Sequence, residues 1–123
     1  MSFYKYSFVR FYYTGKFSGK FVDVGVVVYY DGRLLSRMID VDAASIPANI
    51  DAKRLRSALL NVSDSIANCK GDEIGFQELT ENKKIDNVRF SIPDTASGDG
   101  DSALESLFNF YVERRFSKSA TSI

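Results

Sequence analysis

The segment "MIDVDAAS" sets two carboxylates, Asp40 and Asp42, two positions apart at the end of an apolar run. Oxygen clusters of this kind hold hard divalent cations, and Asp31 or Asp23 can complete such a set. The same pair equally suits an ordinary strand end and turn. Other chemistries are narrower. The chain has no histidine and one cysteine, Cys69, which excludes Ser-His and Cys-His nucleophile pairs. Imidazole ligands and a thiolate zinc site go with them. Cys69 falls late in a helical stretch, where the helix dipole disfavours a thiolate, so it reads as packing. "GKFSGK" (15–20) lacks P-loop spacing and lies between strands rather than before a helix, although Lys16 and Lys20 can still touch a phosphate. "DTASGDGDS" (94–102) is acidic but lacks the spacing of a calcium loop. Arg114, Arg115 and Lys118 suit a helix carboxyl terminus. These residues assign no catalytic group, no cofactor and no metal. The chain reads as non-enzymatic, with a carboxylate-dependent metal enzyme kept as an alternative.

The elements that must position these groups follow from pattern. A chain of 123 residues, 45% hydrophobic and 26% charged, forms one domain with a core that needs no disulfide. Formal net charge is zero, which argues against a dedicated nucleic-acid binder. Six Lys/Arg against two Asp in residues 1–39 nonetheless make the first third basic, and keep a nucleic-acid surface open as an alternative. "FYKYSFVRFYY" (3–13) and "FVDVGVVVYY" (21–30) read as strands. "DG" at 31–32 is a hairpin signal, and "RLLSRMID" (33–40) is a third strand, giving an antiparallel meander. A connector broken by Pro47 follows. Leu55, Leu59, Val62 and Ile66 then recur at helical spacing from Asp51, with Lys70-Gly71 at the end. "FQELT" (76–80) and "NVRFSIP" (87–93) read as short strands around the turn "ENKKID". Residues 94–102 read as a flexible loop. Ser102 and Glu105 form a capping box for a second helix with Leu104, Leu107, Phe108 and Tyr111 as its stripe. The expected fold is α+β: a mainly antiparallel sheet, the meander plus one or two later strands, with two α-helices on one face. Residues 1–116 form the domain and 117–123 a frayed tail.

If the first two strands pair so that opposed residue numbers add to about 33, Arg10 faces Asp23 and Phe8 faces Gly25. Val22, Val24, Val26 and Val28 then share a face with Val9 and Phe11, the floor for the helices. Tyr4, Tyr6, Phe8, Arg10, Tyr12, Phe21, Asp23, Val27 and Tyr29 share the other. Either later segments cover this aromatic face, or it is an interaction surface, since Tyr and Arg are favoured interface anchors. The candidate partner-binding residues are Tyr6, Arg10, Tyr12, Lys16, Lys20, Asp23 and Tyr29. The occupant is a protein partner or a second copy of the chain, with stacked bases or a small ligand as the alternative.

The runs "YSFVRF" (6–11) and "GKFVDVGVVVYY" (19–30), followed by a DG turn and a third strand, resemble bacterial domain-of-unknown-function family 3037. Phe21, Val22, Val24, Gly25, Val26 and Val27 match its pattern, whereas Lys20 stands where the family often has glutamate and Asp23 where it often has asparagine. "GFQELTENKKIDNVRFSI" and "DSALESLFNFYVERRF" resemble its later segments. The family carries no activity to transfer. Its genes often lie beside HipA-like kinases, so the resemblance implies a regulatory or accessory role; a phage-encoded inhibitor of a host defence system fits the same residues. The start "MSFYKYSFVRF" has no uninterrupted apolar region of signal-peptide type, and "VGVVVYY" is too short to span a bilayer. A cytoplasmic protein is expected, of a bacterium or a phage-infected cell, without a membrane partner.

Overall fold

A computed structural model describes residues 2–14, 19–82, 85 and 87–116. The meander forms as expected, from β1 (Phe3–Tyr12), β2 (Phe21–Tyr30) and β3 (Arg33–Met38). Asp31 and Gly32 turn the chain between β2 and β3 with φ of 52° and 70°, the left-handed torsions that a tight hairpin turn requires. Helix α1 (Ala52–Asn68) begins where the period changes. The Asp51 carboxylate accepts from the Lys53 and Arg54 amides, and Leu55, Ala58, Leu59 and Val62 are buried. Such a cap is worth about 1 kcal/mol.

The later chain departs from expectation in four ways. "FQELT" is not a strand but lies within helix α2 (Glu73–Asn82). Phe76, Leu79 and Thr80 are buried there, at positions i, i+3 and i+4, and the Asp72 carboxylate accepts from the Gly75 amide. The acidic 94–102 segment is not all loop, because Asp94–Ser97 is strand β5, paired with β1. Helix α3 (Gly100–Leu107) is capped by Asp99 rather than by a Ser102–Glu105 box. Ser102 lies inside the helix, its hydroxyl bonded to Asp99. The "NVRFSIP" strand is shorter than its pattern, β4 covering Val88–Phe90. Lys16, most of the 14–19 loop, part of "ENKKID" and the 117–123 tail lie outside the described residues.

Among the described residues the sheet has five strands, ordered β3-β2-β1-β4, with β5 on the same edge of β1 as β4. Its register corrects the face assignment. Arg10 does oppose Asp23, but Val9 opposes Gly25 and Phe8 opposes Val26, so Val24 is an extra residue, a β-bulge. One extra residue exchanges the faces of everything beyond it. Val27 and Tyr29 therefore join Lys5, Ser7, Val9 and Phe11. Val26 and Val28 join Tyr6 and Phe8.

Helices cover both faces, not one. On the first, Glu73 of α2 pairs with Lys5 and Phe76 meets the Tyr29 ring, while Leu59 of α1 and Met38 line one hollow. On the second, Arg33 and Arg37 of β3 pair with Asp101 and Glu105 of α3, and the Arg37 guanidinium lies 4.4 Å from the Phe108 ring centre. Val26, Val27 and Val28 are consequently all fully buried. Gly25 is explained by crowding: a Cβ there would overlap the Met38 sulfur and press on the Arg37 carbonyl.

Candidate functional site

Alternate side chains of β1 share one face of the sheet, and here they make a ladder of rings. Tyr4, Tyr6 and Phe8 follow one another at 5.9 Å between centroids. Phe8 meets Tyr111 edge-on at 5.4 Å, and Tyr111 meets Phe110 at 4.8 Å. Past Phe8, the Arg10 guanidinium stands 4.5 Å from the Phe21 ring centre, and Phe21 meets Tyr12 at 5.3 Å. Such contacts contribute about 0.5–1.5 kcal/mol each, enough to order rings without burying them. Phe21 is 41% exposed, Tyr111 48% and Phe110 58%.

Two local irregularities shape this surface. After α3 the helix widens into a π-helical turn over Phe108–Val112, closed by the Glu113 amide on the Phe108 carbonyl. Such turns are found at functional sites. This one sends Phe108 and Val112 into the core and leaves Asn109, Phe110 and Tyr111 outside. The second lies between β4 and β5. Val9 opposes Phe90 and Tyr6 opposes Asp94, so three residues of one chain face two of the other. Ser91 takes the regular place. Its hydroxyl accepts from the Phe8 amide at 2.8 Å and its amide donates to the Phe8 carbonyl at 2.9 Å. Ile92 and Pro93 together then oppose the single residue Ser7, and Ile92 is 92% exposed. It borders an open groove of about 310 Å³ lined by Tyr6, Phe8, Arg10, Ser91 and Asp94. The Val24 bulge and the Ile92 bulge thus flank the same stretch of β1, and bulges recur beside functional sites.

The charges are partly dehydrated. Arg10 Nε donates to Asp23 Oδ1 at 3.3 Å. Burial nevertheless pushes the Asp23 carboxyl above its ordinary value, with Arg10 and then Arg115 pulling it part of the way back. Burial, followed by the charge of Asp94, likewise raises the Tyr6 hydroxyl. A raised carboxylate pKa means that the folded state binds more protons than the unfolded one just above the ordinary aspartate range. Stability there increases as pH falls, and at neutral pH the charge is a net cost. Asp23→Asn is therefore expected to match or exceed the wild-type melting temperature at neutral pH and to lose that advantage on acidification. A pH series of thermal melts checks this. A variant disadvantage that shrinks with falling pH would refute it.

Of the residues singled out from sequence, the fold brings Tyr6, Arg10, Tyr12 and Asp23 together. Tyr29 is not with them: the Val24 bulge turns it to the opposite face, 6.2 Å from the Phe76 ring. Lys20 is exposed just before β2. Asp40 accepts from the Asp42 amide in a turn, and Asp42 pairs with Arg56. No group of three or more potential metal-ligating side chains gathers among the described residues. The Cys69 thiol donates to the Ile66 carbonyl at 3.1 Å. Phe110 and Ile92 were missed. A π turn has no sequence signature, and the alternation of Val88, Phe90 and Ile92 conceals the bulge. No helix among the described residues is long and apolar enough to cross a membrane. No family model, curated protein or solved structure matches the chain.

Proposed function

We propose that this chain is a small non-enzymatic binding module that takes a protein partner on the face formed by β1, the start of β2 and the π-helical turn. The observation that carries this reading is a set of solvent-open rings each held by a neighbour, Phe21 by Tyr12 and Arg10, Phe110 and Tyr111 by each other, with the exposed Ile92 on the groove beside Phe8 and Arg10. Apolar area left open yet held rigid is costly for a free monomer and useful to an interface. Arg10 and Tyr12 serve as anchors, with Tyr6 and Asp94 at the far end. The family resemblance makes a HipA-like kinase the first partner to test and a bacterial defence component the second.

A second reading has its own support. Arg10 lies opposite Arg89 on this face, and Arg114 stands over the Phe110 ring at 5.4 Å. Cations among exposed rings also suit single-stranded nucleic acid.

Phe110→Ala and Tyr12→Ala separate binding from folding. Each is expected to keep the wild-type melting temperature within a few degrees and to weaken partner binding by about thirtyfold, the loss of roughly 2 kcal/mol typical of an anchor. Full affinity in both folded variants would remove this face from consideration. Binding to a single-stranded oligonucleotide that collapses with added salt would favour the second reading.

A further inference from the structure

A different edge of the molecule carries an independent inference. β3 is the outer strand of the sheet on its side, and nothing among the described residues pairs with its far edge. Its parity is fixed by one bond. Val24 stands opposite Ile39, one step beyond the Gly25–Met38 pair, and the Ile39 amide donates to the Val24 carbonyl at 2.9 Å. Bonding direction alternates along an antiparallel strand. Arg33, Leu35 and Arg37 therefore also turn their backbone groups toward β2, while Leu34, Ser36 and Met38 turn theirs outward.

Natural edge strands are usually blunted by proline, lysine or a bulge, or covered. "RLLSRM" has none of the first three, and its two arginines are drawn onto the sheet face by Asp101 and Glu105 of α3. We propose that β3 pairs antiparallel with β3 of a second copy, about a two-fold axis at Ser36, to give a continuous sheet across a homodimer.

Self-complementarity selects this occupant. With Ser36 opposite Ser36, Leu34 of each copy falls opposite Met38 of the other. This register satisfies every outward group, forming about six backbone hydrogen bonds. It sets no like charges directly opposite each other, since Arg37 meets Leu35. It also places Leu34 of the second copy beside Met38, at a hollow of about 310 Å³ walled by Met38, Val41, Leu59 and Leu60. Leu60 is 63% exposed in the single chain. The ring-bearing end of the molecule stays free, so the dimer and the partner site do not compete.

Sedimentation equilibrium of the full chain tests the pairing. The wild type is expected at twice the monomer mass, dissociating on dilution. Ser36→Lys and Ser36→Glu each place like charges across the axis and are expected to be monomeric, with melting temperatures near that of the dissociated wild type because Ser36 is exposed. An equimolar mixture of the two is expected to regain the dimer mass. A monomeric wild type, either variant dimeric alone, or a monomeric mixture would each overturn the proposal. Hydrogen exchange on the wild type gives a reading without mutation: the Leu34, Ser36 and Met38 amides must slow as concentration rises.

Discussion

Replacing Val27 by aspartate is expected to leave no cooperatively folded protein. Val27 is fully buried in β2, and the residues opposite it on β1 and β3 are Ser7 and Ser36. No cation stands across the sheet to receive the charge, and the nearest lysine along that face, Lys5, already pairs with Glu73. An uncompensated buried charge costs several kcal/mol, a large share of the roughly 5–15 kcal/mol that holds a domain of this size together. The substitution also discriminates between registers. An uninterrupted β1–β2 ladder puts Val27 opposite Tyr6 on the aromatic face, where an aspartate would reach solvent and be tolerated. The Val24 bulge puts it under the helices. Circular dichroism and a thermal melt decide, and a soluble Val27→Asp variant with a sharp transition would restore the simpler register.

Phe76→Ala is expected to remove about 3–5 kcal/mol, the usual loss for a core phenylalanine, and to lower the urea midpoint by roughly 2 M. Phe76 is 2% exposed and its ring anchors α2 against Tyr29. Phe110→Ala is the same truncation at an exposed ring and is expected to cost only about 1 kcal/mol, the scale of its contacts with Tyr111 and Arg114. Equal losses from the two would contradict the inside and outside assigned to them.

What was legible from sequence follows the physics of each signal. Asp31-Gly32 announced its turn because left-handed torsions favour those residues, and α1 because four apolar residues repeat at one period. The Arg10–Asp23 pair was also correct, since it lies between the β1–β2 loop and the bulge, where the simple register holds. Tyr29 was lost because Val24 is inserted between the two, and a valine among valines carries no mark of being surplus. β5 was hidden for another reason: Asp94–Ser97 joins the sheet through main-chain bonds to β1 with little side-chain burial, so its polar composition reads as loop. The misread "FQELT" is too short for a period of two to be told from one of 3.6. Its neighbour Gly75 also weakens the helical signal. At the site, the strand half was visible in composition. The π-turn half depended on backbone geometry that composition does not encode.

The sheet is assembled from opposite ends of the chain, which has a consequence in time. β1 leaves the ribosome before the other four strands, yet the strands that close its outer edge, β4 and β5, end near residue 97, and the segment bearing Phe110 and Tyr111 comes later still. At about 5–20 residues per second of synthesis, the finished meander waits several seconds with an open edge and an uncovered row of aromatic side chains. During that interval it has the features that draw chaperones and that seed association between nascent chains. The length of this vulnerable period is set by the tempo of translation rather than by the folding rate of the completed domain.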